Sequence, residues 1–146
     1  MIDKKWIGHR FPASTLTIER GRLQFFAKAI GESRPAYTDL AAARAAGFPD
    51  LLVPPTFLFA VELDSGTLER LITQLQIPIP KLLHGEQGFT YHRAAYAGDT
   101  VTVHSTITDI YEKKNGALEF VVKTSRALNQ REEVVAELRS VIVCRH

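Results

Sequence analysis

The sequence predicts a single α+β domain, residues 1–146, in which an antiparallel sheet curls around one long buried helix at about residues 55–64, with additional helices before and after it. Three observations carry this. Apolar residues recur at helical spacing in the first half, they alternate with polar residues in the second, and the segment VPPTFLFAVELDSG at 53–66 contains a run, Phe57 to Val61, that is apolar on every side. A helix without a polar face has to be enclosed by other elements, and helices followed by strands in so short a chain pack on one face of a sheet.

Taken in order, Leu23, Phe26, Ala27 and Ile30 recur at i, i+3, i+4 and i+7, after a candidate cap at Thr17 and before Gly31, so residues 18–30 read as an amphipathic helix. TDLAAARAA at 38–46 reads as a short helix stopped by Gly47. Pro55 suits the first turn of the buried helix. Leu68, Leu71, Ile72 and Leu75 then mark one or two more amphipathic turns, ended by IPIP at 77–80. Beyond Pro80 the period becomes two: Phe89 and Tyr91 share a face, and Val101, Val103 and Ile107 alternate with threonines and His104. Lys114-Asn115-Gly116 is a hairpin signal, and Asn129-Gln130 marks a second turn. Leu118, Phe120, Val122, Val134, Ala136, Leu138 and Ile142 complete what reads as an antiparallel meander.

Composition narrows the function classes. With 45% hydrophobic and 23% charged residues over 146 positions, one ordinary globular core is expected. The net charge of +2 comes from scattered Lys and Arg, and the pair Lys113 and Lys114 falls in a turn, so no nucleic-acid stripe is expected. One cysteine, Cys144, builds neither a disulfide framework nor a zinc cluster within the chain, and a reducing cytoplasm suits it. No apolar run reaches the length of a membrane span, and MIDKKWIGHRFPAS lacks the apolar core of a signal peptide. A cytoplasmic location and no membrane insertion are the expectations.

Three features together carry a resemblance: the buried helix within an antiparallel sheet, the leading helix that ends in Gly-acid-x-x-Pro, and HGEQGFTYHRAAYAGDTV at 84–101. They resemble the MaoC-like dehydratases of the hot-dog fold over nearly the whole chain, in particular the N-terminal type found in fused dehydratases and in accessory subunits of heterodimeric ones. The resemblance implies a lyase that adds water reversibly across a 2-enoyl thioester of coenzyme A or acyl carrier protein to give the (R)-3-hydroxyacyl thioester, with no metal or redox cofactor. Active members of the family carry Gly-Asp-x-Asn-Pro-x-His. A carboxylate and an imidazole that reach one water and the substrate's C2 proton can exchange acid and base roles, while a backbone N–H at the start of the buried helix stabilises the developing oxyanion.

On this chain the motif falls on Gly31-Glu32-Ser33-Arg34-Pro35-Ala36-Tyr37. The frame is kept and the chemistry is exchanged. Glu32 stands at the catalytic aspartate, Arg34 at the asparagine and Tyr37 at the histidine; an unperturbed phenol, with a pKa near ~10, donates but hardly accepts at neutral pH. Where the family's Pro-Gly supplies the oxyanion N–H, this chain has Pro54-Pro55, and proline has none to give. The resemblance therefore assigns Glu32 and Tyr37 to the catalytic positions, and Arg34, Pro55, Thr56, Phe57, His84 and Arg93 to substrate binding. Thr56 is the replacement N–H donor, Phe57 is core as well as acyl-tunnel lining, and Arg93 is a cation for the thioester carrier's phosphate. As a bland alternative, Gly31 caps one helix, Pro35 stiffens a turn and Thr38 or Asp39 caps the next helix. His84 and Glu86, two apart on a strand, read as sharing a face, while His92 is a hydrogen-bonded strand residue. Glu62 and Asp64, at the end of the buried helix, are where a thioesterase of this fold keeps its carboxylate.

Two readings compete: an acyl-binding accessory subunit that borrows an Asp/His pair from a motif-bearing partner, and a self-sufficient hydratase that uses Glu32. An acyl-CoA thioesterase and a non-catalytic acyl-CoA-binding protein are further alternatives. The expected assembly is a homodimer, or a heterodimer with a motif-bearing sibling, because a single sheet leaves an exposed edge.

Overall fold

Alternating apolar and polar residues commit most of the chain beyond Pro80 to long strands, and the computed structural model describes residues 1–146. The strands are β1 (Ser14–Thr17), β2 (Leu82–Tyr91), β3 (Thr100–Lys113), β4 (Leu118–Leu128) and β5 (Val134–Arg145). They form one five-stranded antiparallel sheet in the order β1-β3-β4-β5-β2. The helices are α1 (Arg20–Ile30), α2 (Pro35–Thr38), α3 (Leu40–Ala45), α4 (Leu58–Asp64) and α5 (Thr67–Leu75).

Several boundaries differ from the sequence reading. Thr17 is not the cap of α1; it ends β1, an edge strand that the pattern search missed because four residues are too few to establish a period. Gly31 does close α1, at φ +72°, a left-handed conformation that costs an L side chain ~1–2 kcal/mol. The helix expected at 38–46 is α3, shortened to Leu40–Ala45, and a separate one-turn helix, α2, precedes it and ends at Thr38. Asp39 leaves helical geometry at φ −126°, and its carboxylate accepts the Ala42 N–H at 2.7 Å, so it caps α3. The central helix is shorter than predicted: Pro55, Thr56 and Phe57 form a turn, with Phe57 N–H donating to Pro54 O at 2.9 Å, and α4 begins at Leu58.

The meander holds for β3-β4-β5 only. Strand β2 pairs with β5, not β3, because the connection at 92–99 crosses the end of the sheet and buries Ala95 and Ala97 in the core. The main core gathers Leu23, Leu51, Phe57, Leu58 and Val61 from the helical layer against Val101, Val103, Ala127, Ala136 and Leu138 of the sheet. A second cluster joins Leu71 and Leu75 of α5 to Ile107, Val121, Ile142 and Cys144. The turn at Lys114-Asn115-Gly116 runs through three left-handed residues, as the hairpin signal predicts. In β2, Gly85 sits in a bulge: a Cβ there would lie 2.8 Å from Val143 Cγ2, a separation no side chain tolerates.

Candidate functional site

An apolar pocket of about 320 Å³ opens between the turn before α4, helix α2 and the end of β2. Its walls are Tyr37, Leu52, Val53, Pro55, Leu58, Tyr91, His92, Arg93, Ala94 and Ala95. Pro35 at the first turn of α2 presents Tyr37 to it. Leu52 N–H donates to Ala36 O at 3.0 Å and Val53 N–H to Ala95 O at 2.9 Å, which ties the three walls together through the backbone.

The motif loop lies beside this pocket with its charges already satisfied. Glu32 accepts from Arg34 three ways: from the backbone N–H at 2.9 Å, from Nε at 3.0 Å and from Nη2 at 2.5 Å. These bonds pull the Glu32 carboxyl down to about 2. The Arg34 guanidinium also lies 4.8 Å from the centre of the Tyr37 ring, a cation–π contact. Glu32, Arg34 and Tyr37 therefore form a closed set, and only Tyr37 lines the pocket. Facing it, Tyr91 is pushed up to about 12, first by burial and then by Tyr37. Near neutral pH the carboxylate stays ionised and Tyr91 stays a phenol.

The other predicted positions divide. Pro55 and Arg93 are in the pocket wall, and Arg93 sits at its exposed side, 3.5 Å from Glu133. Thr56 is exposed, follows the pocket-lining Pro55 and has a backbone N–H that bonds to nothing in the chain. Phe57 is core and not pocket: it is 1% exposed and packs edge-to-face on Phe26 at 5.3 Å. His84 lies away from the pocket, its ring 5.2 Å from that of Phe59.

The expectation that His84 and Glu86 share a face fails. The bulge at Gly85 shifts the register, so His84 opposes Ile142 while Glu86 opposes Val141, and Glu86 accepts from Arg139 Nη1 at 2.6 Å. They cannot act as an acid–base pair.

The carboxylates of α4 are also engaged. Glu62, 1% exposed, accepts at Oε1 from Ser105 Oγ at 2.6 Å, Ser125 Oγ at 2.5 Å and Lys123 Nζ at 2.6 Å, while its Oε2 is buried without a partner. Asp64 is paired with Arg22. Each carboxylate of α4 is thus held by a cation, Lys123 for Glu62 and Arg22 for Asp64. Sequence reasoning missed Tyr91, Leu52, Val53, Ala94 and Ala95 as pocket residues. It also passed over Lys123, which follows the apolar run Phe120–Val122 on β4 and finds its buried partner in Glu62.

Comparison with known proteins places this architecture. A family model described as FAS1-like, dehydratase domain region, matches residues 5–138. The chain belongs to that family. The UPF0336 protein of Streptomyces coelicolor is 37% identical over 110 residues, covering 75% of this chain and 73% of the relative. That of Parafrankia is 34% identical over 146 residues, covering 99% and 95%. Among solved structures, the truncated HadBC (3R)-hydroxyacyl-ACP dehydratase complex of Mycobacterium tuberculosis superposes with a TM-score of 0.81 at 22% identity, covering 94% of this chain and 96% of that one. The (R)-hydratase PhaJ1 of Pseudomonas aeruginosa gives 0.70 at 21% identity, covering 96% and 82%. These structures share the hot-dog fold with this chain. No helix is long and apolar enough to cross a membrane.

Proposed function

We propose that this chain is an acyl-binding subunit of a 2-enoyl/(R)-3-hydroxyacyl thioester hydratase. It contributes a pocket wall and leaves proton transfer to a motif-bearing partner chain. The observation that carries this reading is the closed Glu32–Arg34–Tyr37 set: the motif loop keeps its place beside an apolar pocket, but its carboxylate is committed to an arginine and its histidine position is a phenol. In this reading the acyl chain lies against Leu52, Val53, Pro55 and Leu58. Arg93 meets a phosphate of coenzyme A or of a carrier-protein arm, and Thr56 N–H is available to the thioester oxygen. No cofactor takes part, and the free edge of β2 is the surface on which a second hot-dog chain continues the sheet.

A self-sufficient hydratase has one observation in its favour: His92 is an imidazole in the pocket wall. Hydration of crotonyl-CoA by the isolated chain separates the two readings. The accessory reading expects no turnover above the uncatalysed rate, unchanged by Glu32→Gln or His92→Gln. Robust turnover lost in either variant would refute it.

A further inference from the structure

At the end of the sheet remote from the pocket, three side chains of metal-ligating chemistry converge. Glu119 of β4 stands directly opposite Cys144 of β5, and His146 follows Cys144 by two residues, so the alternation of the strand brings all three to one face. His146 N–H donates to Ala117 O at 3.1 Å, which extends the pairing past the end of β5 and fixes the position of the imidazole. The Cys144 sulfur, a Glu119 carboxylate oxygen and a His146 ring nitrogen all lie within 4.8 Å of one another. Counting cysteines alone does not find this cluster, because two of its three ligands are not cysteine.

The surroundings are built rather than incidental. Glu119 is 3% exposed and Cys144 is 2% exposed, against the second core cluster with Leu71, Leu75 and Ile77. Glu119 Oε1 already accepts the Ile2 N–H at 2.6 Å, while Oε2 faces His146 Nε2. The imidazole is partly exposed and gives an ion a way in.

We infer that Glu119 Oε2, Cys144 Sγ and His146 Nε2 form a binding site for a zinc-type divalent cation, with water as the fourth ligand. The donor set suits zinc. Thiolate and imidazole favour zinc over magnesium or calcium, and a thiolate, a carboxylate and a neutral imidazole around a divalent ion leave the site close to electroneutral, as its burial requires. Zinc–ligand bonds of about 2.0–2.3 Å place tetrahedral donors roughly 3.3–3.8 Å apart. The present separations reach that range by side-chain rotations of about an ångström. Binding displaces the Cys144 proton, so affinity rises with pH. The ion joins β4 to β5 and, through Ile2, to the N-terminal segment. Tyr91 pairs with Ala136 and Leu82 with Cys144 on the same strand, a spacing of roughly 27 Å at strand rise, so this site is separate from the acyl pocket and independent of its assignment.

Cobalt titration of chelator-treated, reduced full-length protein tests this. One equivalent of Co²⁺ is expected to give a near-ultraviolet thiolate-to-cobalt band and intense tetrahedral visible bands, both displaced by Zn²⁺. Cys144→Ser should abolish the thiolate band. His146→Gln, at a partly exposed position where folding is not at risk, should weaken binding by at least about tenfold and remove the protection that Zn²⁺ gives Cys144 against alkylation. A weakly absorbing octahedral spectrum, or a thiolate band of unchanged affinity in folded His146→Gln, would overturn the assignment.

Discussion

The buried Glu62–Lys123 pair makes the sharpest stability prediction. Both side chains are almost fully enclosed, at 2% and 6% exposure, and Lys123 Nζ lies 2.6 Å from Glu62 Oε1. Burial alone pulls the Lys123 pKa down, and the adjacent carboxylate opposes that pull. Lys123→Met keeps most of the side-chain volume and removes the ammonium. Glu62 is left with two serine hydroxyls on one oxygen and nothing on the other. Deleting one partner of a buried pair costs about 3–5 kcal/mol, a large share of the ~5–15 kcal/mol that holds a typical domain folded. Glu62→Leu combined with Lys123→Met removes both charges. Ser105 and Ser125 then lose their acceptor but keep their mutual bond at 3.0 Å, so the double variant is expected to recover most of the loss and stay within about 1–3 kcal/mol of the parent. Urea unfolding followed by circular dichroism measures both. A single substitution costing less than about 1 kcal/mol, or a double variant no more stable than the single one, would refute the claim that this pair anchors α4 to the sheet.

Other predictions follow from the same structure. Arg20 grips Asp50 with bonds of 2.8 and 2.6 Å and holds its carboxyl at about 2, below the unfolded value of ~3.9. This contribution to stability is complete above about pH 4 and is lost as pH falls toward 2; Asp50→Asn should lower stability at pH 7 and flatten the acid limb of a stability–pH curve. Gly85→Ala drives a methyl to 2.8 Å from Val143 Cγ2 and 3.2 Å from Val141 O, so thermal melting should show a loss of about 1–3 kcal/mol. Arg34→Ala removes the clamp on Glu32, and carbon-detected NMR titration should show its pKa moving from about 2 toward the ordinary ~4.3.

The parts of the fold with a strong period were legible in the sequence. Leu23 and Ala27 announced α1, the Phe57–Val61 run announced an enclosed helix, and the Lys114-Asn115-Gly116 turn announced the β3–β4 hairpin. What stayed hidden depends on long-range placement. Strand β2 carries the same alternation whether it pairs with β3 or with β5, and a single glycine, Gly85, reverses which face Glu86 presents. The candidate site divides in the same way. Tyr37 and Pro55, which the motif frame singles out, line the pocket wall, because their backbone setting is local. That Glu32 would turn away onto Arg34, that Phe57 would point into the core, and that Tyr91 would face Tyr37 all depend on side-chain directions set by packing.

The central claim is that this chain supplies an acyl pocket while another chain supplies the acid–base pair. It is tested most directly by measuring crotonyl-CoA hydration for the isolated chain, for a hot-dog chain carrying Gly-Asp-x-Asn-Pro-x-His, and for an equimolar mixture of the two. The account predicts no turnover from this chain alone and a rate in the mixture well above that of the motif-bearing chain by itself. Full activity from the isolated chain, with no gain on mixing, would contradict it.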